Sequence, residues 1–183
     1  VYQDELSSIL KSVDSSDIPD GYSEIVKKNI DINKKISKRI KFDNDILHRS
    51  KIIKHFLDDT ENTNRTEKDF KSVYKKIKRN KKYFISIMDI IVLESLVADG
   101  IVLPEDLKLD TLSSELTVPE NLNKLVKEKQ SGLVVLKIIE IIGEDKAKDL
   151  DPETIYFLTK ILNNLNLKKI RNEILSEALP QKV

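Results

Sequence analysis

The sequence of 183 residues contains no cysteine and no tryptophan, and only 4 glycines and 5 prolines. The absence of cysteine excludes disulfides, thiolate nucleophiles and thiolate metal sites. Four scattered glycines cannot build the glycine-rich loop that holds nucleotide phosphates, and neither GxGxxG nor GxxxxGK occurs. The sequence therefore predicts no thiol chemistry, no nucleotide-binding loop and no cofactor.

Long hydrophobic runs are also lacking. The most apolar stretches, residues 84–93 and 133–142, are interrupted by Asp89, Lys137 and Glu140. Both are well short of the ~20 apolar residues that span a bilayer, so we predict no transmembrane segment and a soluble chain. The sequence begins at Val1 rather than Met, from which we expect a processed chain or part of a longer one, and the compartment is not predicted.

Charge is distributed unevenly along the chain. Residues 27–82 hold 19 Lys and Arg against 8 Asp and Glu, while the remaining residues hold 13 against 23, so a total of +1 conceals +11 and −10. A concentrated basic region is what a polyanionic partner would need. However, 27 of the 32 basic residues are Lys, and Ile and Asn are also abundant, which is typical of an AT-rich genome. Part of the Lys excess therefore follows from coding bias.

Apolar residues recur mostly at spacings of three and four, which is the period of amphipathic helices. We predict an all-α fold, either an irregular helical bundle or a short α-solenoid of helical hairpins, with about 8 helices. The chain is expected to form a single domain over residues 1–183, with two sub-bundles at residues 1–100 (basic) and 101–183 (acidic) as the alternative. The predicted helices cover residues 6–13, 23–40, 46–57, 66–77, 90–98, 133–142, 151–165 and 167–179, with short elements near 103–107 and 121–129.

Helix ends are indicated by residues that suit the free backbone groups there. Gly100 and Gly143 are predicted to end helices, since glycine readily adopts the positive φ of a C-terminal cap. The predicted starts, each a capping residue, a capping box or a first-turn proline, are Asp43 or Asn44, Thr66 with Asp69, Ser86 with Asp89, Pro104, Pro119, and Asp151 with Pro152.

The nearly continuous apolar run at residues 133–142 is predicted to be a buried helix. Residues 133–136 at its start lie seven residues before Gly143, as residues 90–93 lie seven residues before Gly100, and the offset of 43 residues is typical of paired-helix solenoid repeats. Residues 131–180, about a quarter of the chain, resemble the helical-hairpin units of tetratricopeptide-type or HEAT-type solenoids, without their diagnostic residues. The resemblance implies a protein-binding scaffold.

His48 and His55 are the only imidazoles, and they are predicted to lie two turns apart on one helix, at ~10.5 Å, too far apart to share a metal ion. His55 is expected to form a surface ion pair with Asp58 or Asp59. A nucleophile relay would need a Ser or Thr brought in by tertiary folding.

The acidic stretch at residues 14–21 fails as a calcium loop and is interpreted as a turn, and no metal site is predicted. Its first, third and twelfth loop positions would be Ser16, Ile18 and Lys27.

A basic run at residues 74–84 is the best candidate for a contact surface, whereas Tyr74 and Phe84 are expected to face the core. The first interpretation of this run is a helix end exposed to solvent. The second is contact with an acidic surface, and the third is nucleic acid, whose phosphates Lys and Arg bind. Anionic lipid headgroups would be attracted by the same charge. The predicted contact residues are Lys75, Lys76, Lys78, Arg79, Lys81 and Lys82.

The absence of catalytic motifs together with abundant helical hairpins predicts a non-enzymatic module that binds another protein. The alternative is a nucleic-acid-binding domain that uses the basic face at residues 75–82. An enzyme assembled from distant acids and a histidine has the least support. The partner and the oligomeric state are not predicted.

Overall fold

The structure, a computed structural model, describes residues 40–57, 62–143 and 145–179. Backbone contacts divide the chain into one unit of Val1–Lys41 with Lys182–Val183 and a second of Phe42–Gln181. The predicted helix at residues 6–13, the turn at 14–21 and all but the last residue of the predicted helix at 23–40 lie outside the described residues.

The all-α prediction is confirmed, since the described ranges contain eight α-helices and no β-strand. Three 3₁₀ turns accompany them, Leu47–Arg49, Lys51–Ile53 and Ala147–Asp149. The helices are α1 (Lys54–Leu57), α2 (Thr63–Arg79), α3 (Ile87–Ala98), α4 (Leu109–Leu112), α5 (Glu120–Lys127), α6 (Ser131–Ile142), α7 (Pro152–Asn164) and α8 (Lys168–Ala178).

Helix α3 is the centre of the Phe42–Gln181 unit. It is apolar around most of its circumference, as expected of a helix enclosed by neighbours, and Val92, Leu93 and Leu96 are completely buried. Its most extensive contact is with α7, which in turn packs on α8, and α8 contacts α1. Leu158, Ile161 and Leu162 of α7 are fully buried as well. The core is thus built from helices on both sides of residue 100, and the division into two sub-bundles there stays a prediction.

Several predicted helix ends are confirmed. The Ser86 side chain accepts the N–H of Asp89, and the Asp89 side chain accepts that of Ser86, which completes the capping box at the start of α3. Gly100 and Gly143 follow α3 and α6 with φ of 82° and 58°, in the region that glycine adopts without steric cost. Asp151 caps α7 by accepting the N–H of Thr154 at 2.8 Å.

The single helix predicted for residues 46–57 is wrong. Ser50 interrupts it with extended backbone angles, φ −82° and ψ 174°, between the two 3₁₀ turns. Its hydroxyl donates to the carbonyl of Leu47 at 2.8 Å and accepts the N–H of Ile52 at 3.3 Å. A serine side chain that bonds the local backbone in this way competes with helix continuation. Only α1 of this segment is α-helical.

The start predicted for α2 is also wrong. The helix is capped by Asn62, whose side chain accepts the N–H of Arg65 at 3.0 Å, and this cap lies four residues before the expected one, Thr66. Thr66 is instead buried inside the first turns. Asparagine is as good a cap as threonine, so sequence alone did not separate the two.

The region around the two prolines differs in detail from the prediction. Residues 103–107 form a turn, closed by the N–H of Leu107 to the carbonyl of Pro104 at 3.0 Å, and the short helix α4 follows it. Pro119 directly precedes α5, close to its predicted place. None of the helices in the described ranges is long and apolar enough to cross a membrane.

Candidate interaction surfaces

The predicted contact residues at 75–82 are all exposed, but they do not form one uniform surface. Lys76 lies 3.7 Å from Asp45, and Lys78 lies 2.5 Å from Asp106. The Asp106 hydrogen bond raises the pKa of Lys78. For the other four cations, the described part of the chain provides no acidic partner. Two of the six predicted cations are therefore engaged with acids of the same unit.

Helix α2 presents a basic face that the sequence analysis did not identify. Its buried side holds Thr66, Phe70, Val73 and Ile77. Residues three or four apart on a helix share a face, and the opposite side carries exposed cations at these spacings with no acid among them. We call this set the basic stripe: Arg65, Lys68, Lys71, Lys75 and Arg79. The spacing of these cations can be read from the sequence, but it places all five on one face only if the helix begins as early as Thr63.

Phe84 is 85% exposed, so the expectation that it faces the core is wrong. It lies between Tyr83 and Ile85, which are both partly buried against the core. Tyr83 and Ile85 are thus held against the core on either side of Phe84, and the Phe84 ring between them is left in solvent. Tyr74 is half-buried and stacks on Phe70 with ring centroids 5.7 Å apart.

A buried cluster around Asp89 fixes the loop that carries Phe84. One oxygen of the Asp89 carboxylate accepts from the Tyr83 hydroxyl at 2.9 Å, and the other lies 2.7 Å from His48 Nδ1. The Tyr83 oxygen also accepts the N–H of Leu47 at 2.9 Å. Burial alone would raise the pKa of Asp89, but hydrogen bonds from His48 and Ser86 keep it below its usual value. Burial also raises the pKa of Tyr83.

Replacing Ser86 by alanine is expected to destabilise the protein by about 1 kcal/mol, because the first turn of α3 loses its side-chain cap. The measurement is the free energy of unfolding from urea titration. Ser86→Thr serves as the control, since its hydroxyl can still accept the Asp89 N–H. Equal stability of the alanine variant and the wild type would contradict the role given to the capping box.

His48, Ser86 and Asp89 resemble a catalytic triad in composition but not in geometry. Ser86 Oγ and Asp89 Oδ1 lie 3.4 and 2.7 Å from the same imidazole nitrogen, Nδ1. In a working triad the nucleophile and the orienting acid contact opposite nitrogens. The arrangement instead ties the 3₁₀ turn at Leu47–Arg49 to the start of α3.

His55 is buried and bonded to Asp99, so the prediction that it lies at the surface is wrong, and its predicted partners Asp58 and Asp59 lie outside the described residues. Its Nε2 lies 2.8 Å from Asp99 Oδ2, and Nδ1 lies 3.1 Å from Thr66 Oγ1. Here Thr, His and Asp are in relay order, but the side chains of His55 and Asp99 are only 1% and 3% exposed. A nucleophile enclosed in this way has no route to a substrate.

Arg171 completes this buried cluster. Its two terminal nitrogens bind the two oxygens of Asp99 at 3.0 and 2.7 Å, and Nη1 also donates to Asn163 at 3.0 Å. Burial alone would raise the pKa of Asp99, but hydrogen bonds from His55 and Arg171 and the charge of Lys168 lower it to about 2. The cluster joins α1, α2, α3, α7 and α8, which indicates a structural role.

Helix α6 is confirmed, but the prediction that it is buried is wrong. Only Val134 and Ile138 are buried, and α5 is the principal helix against which α6 packs. Because apolar residues occur at nearly every position of this run, the sequence does not show whether neighbours cover one side of the helix or more. Leu133, Leu136 and Ile139 are 42%, 63% and 59% exposed, and we call these three residues the apolar face of α6.

Among the hollows on the surface of the described part, two have volumes of about 240 and 570 Å³. The smaller is lined by residues that include Tyr74 and Asp106, and the larger by polar residues of α5 that include Lys124 and Lys127. Neither histidine lines them. Within residues 40–57, 62–143 and 145–179, no three His, Asp or Glu side chains are grouped so that they could hold a metal ion.

Comparison with known proteins gives no relative from which a site could be transferred. No protein-family model, curated protein or solved structure matches the chain. The repeat similarity at an offset of 43 residues and the solenoid resemblance therefore stay predictions.

Proposed function

We propose that the protein is a non-enzymatic helical interaction module that docks an amphipathic helix of another protein on the apolar face of α6. The observation that carries the proposal is the exposure of Leu133, Leu136 and Ile139 on a helix that buries only Val134 and Ile138. Isolated exposed apolar residues are ordinary, whereas an exposed apolar set on one element marks an interaction surface. Leu136, at its centre, is 63% exposed.

The arrangement suits a helical partner. The three side chains follow one another at three-residue intervals, so they form a ridge along α6. Ridges of this kind pack into the grooves of a second helix, and helix docking is a common form of peptide recognition. A partner with apolar residues at i, i+3 and i+7 would cover the apolar face of α6.

Charges at the border of the apolar face restrict the partner further. Lys137 and Glu140 lie 2.6 Å apart, each four residues after a member of the face, Leu133 and Leu136 respectively. A partner that carries an acid near Lys137 and a base near Glu140 would extend this pair into a network. Complementary border charges contribute mainly to specificity. We therefore expect a partner helix with both signs of charge beside its apolar stripe.

A non-enzymatic role is supported by the chemistry of the two histidine clusters. The His55 cluster is sealed inside the core, and the His48 cluster has its serine and its acid on one nitrogen. Perturbed carboxylates also occur in purely structural networks. Both clusters have structural partners for their polar atoms, so neither needs a substrate to explain it.

Leu136→Lys is expected to weaken helix binding at least tenfold, about 1.4 kcal/mol, because it places a charge in the centre of the buried contact. The probes are amphipathic helical peptides selected from a displayed library against the wild-type protein. Their affinities are measured by fluorescence anisotropy. Val102→Lys is the matched control, since Val102 is 73% exposed and lies outside α6.

The proposal requires peptides that bind the wild type and the Val102→Lys variant alike but lose affinity for the Leu136→Lys variant. Selected peptides that bind all three proteins equally, or a library that yields no binder, would contradict it. Light scattering provides a second check. A dimer that Leu136→Lys dissociates would assign the apolar face to self-association and overturn the proposed partner.

A further inference from the structure

We propose that the basic stripe on α2, together with Phe84, binds single-stranded nucleic acid. This site is independent of the apolar face of α6. It rests on two separate observations: a line of exposed cations without acids, and an exposed aromatic ring on a loop that Tyr83 anchors to Asp89 and Leu47.

The basic stripe is linear. Lys68, Lys71, Lys75 and Arg79 follow one another at intervals of three and four residues, so the charges extend over about 16 Å at ~1.5 Å per residue. The nearest acids in sequence lie on the flanks of the helix, and one of them, Asp69, is held by Lys51 at 2.6 Å. A row of uncompensated charges of one sign matches a chain of phosphates, whose neutralisation releases counterions.

Exposure of the stripe is a consequence of how α2 packs. The helix buries Phe70, Val73 and Ile77 on the core, which fixes its rotation and turns the cations outward. Arg79 lies in the last turn, where a cation is also favoured by the helix dipole. The stripe therefore does not depend on rearrangement of the protein.

Phe84 adds a contact that charge alone would not supply. The ring follows Lys81 and Lys82 in sequence and is 85% exposed, although burial would be favourable for an aromatic of this size. Tyr83, bonded to Asp89 and Leu47, holds the loop in place. Stacking of an unpaired base on such a ring contributes ~1–3 kcal/mol and requires no particular sequence.

Single-stranded nucleic acid fits these observations better than a membrane surface. A bilayer is a planar array of charge, whereas the stripe is one residue wide along a helix. Insertion into a bilayer would also depend on one aromatic side chain, because Phe84 is the sole exposed large apolar residue among described residues 62–86. A single strand, in contrast, needs only a row of cations for its phosphates and one ring on which an unpaired base can stack.

The test measures binding of a fluorescein-labelled 20-nucleotide oligo(dT) by anisotropy as salt is varied. With about four phosphates neutralised, a slope of ~0.7 per phosphate predicts roughly 50-fold weaker binding at about 200 mM salt than at about 50 mM. The stripe variant K68Q/K71Q/K75Q/R79Q is expected to bind at least ~10-fold more weakly at low salt and to show a shallower slope.

The matched control is K108Q/K124Q/K127Q/K129Q, which removes the same number of exposed charges outside α2. It should retain affinity within about twofold of the wild type if the stripe, and not net charge, binds the strand. Phe84→Ala should weaken oligo(dT) binding ~10-fold while leaving the salt slope unchanged, because stacking releases no counterions.

The proposal would be overturned by absence of oligo(dT) binding at low salt, or by equal losses in the stripe and control variants. Unchanged affinity of Phe84→Ala would remove the stacking contact and with it the preference for unpaired bases. Preferential binding to a 20-base-pair duplex, or to phosphatidylserine-containing vesicles, would assign the stripe to another polyanion and also overturn it. Circular dichroism of each variant verifies that the helices are retained.

Discussion

Arg171→Met is expected to lower the free energy of unfolding by about 3–5 kcal/mol, because it leaves a buried carboxylate without its main partner. The Arg171 side chain is 2% exposed, and the Asp99 side chain that it binds through two nitrogens is 3% exposed. Removal of the guanidinium would leave Asp99 with His55 and Lys168 only. The measurement is urea unfolding monitored by circular dichroism near neutral pH.

Two further variants separate loss of the ion pair from loss of packing. Asp99→Leu combined with Arg171→Met removes both charges, and part of the lost stability should return because no unpaired charge stays buried. Lys78→Met breaks an exposed pair with Asp106 and should change the unfolding midpoint little, since such pairs are screened by solvent. A loss below about 1 kcal/mol for Arg171→Met alone would show that the buried cluster is not an essential support of the fold.

Stability is expected to fall in acid as the buried carboxylates become protonated. The pKa of Asp99 is lowered from 3.8 to about 2 in the folded protein. A lowered folded-state pKa stabilises the protein above the unfolded value, and this contribution is lost as pH falls through the folded value. The loss therefore occurs between about pH 4 and pH 2 and amounts to about 2 kcal/mol for Asp99. Asp89, whose pKa is also lowered, adds in the same direction.

The comparison that tests this prediction is between the wild type and Asp99→Asn. The variant should be less stable near neutral pH but should lose less of its remaining stability in acid. Asp106→Asn is the control, because Asp106 is held by Lys78 in solvent and salt should screen its contribution. High salt should leave the effect of Asp99 largely intact. Identical acid dependence of the wild type and Asp99→Asn would contradict the assignment.

The elements that local chemistry specifies were predictable. The capping box of Ser86 and Asp89, the caps at Asp151 and Gly100, and the helical period of the apolar residues all act within one or two turns. The helix break at Ser50 was missed, because its side chain competes with the backbone through bonds that many helical serines do not make. Likewise, Asn62 and Thr66 are nearly equivalent as caps, and only the packing of α2 selects between them.

The candidate sites were only partly predictable. Lys75 and Arg79 were identified from the density of charge, but Lys76 and Lys78 are engaged with Asp45 and Asp106, which lie 31 and 28 residues away in the sequence. The additional cations of the basic stripe lay outside the densest run and were missed. Phe84 was assigned to the core by its residue type, whereas the anchoring of Tyr83 decided its exposure. The apolar face of α6 was missed for a related reason, because residue types do not show how many sides of a helix are covered by other helices.

The helical class, several helix ends and the concentration of positive charge could be read from the chain, because they depend on residues that are close together along it. Which apolar and charged side chains are covered could not be read in this way. Burial depends on contacts between segments far apart in sequence, such as Asp99 with Arg171, 72 residues away. The free energy of these contacts, and not local propensity, selects which side of α2 and α6 faces water.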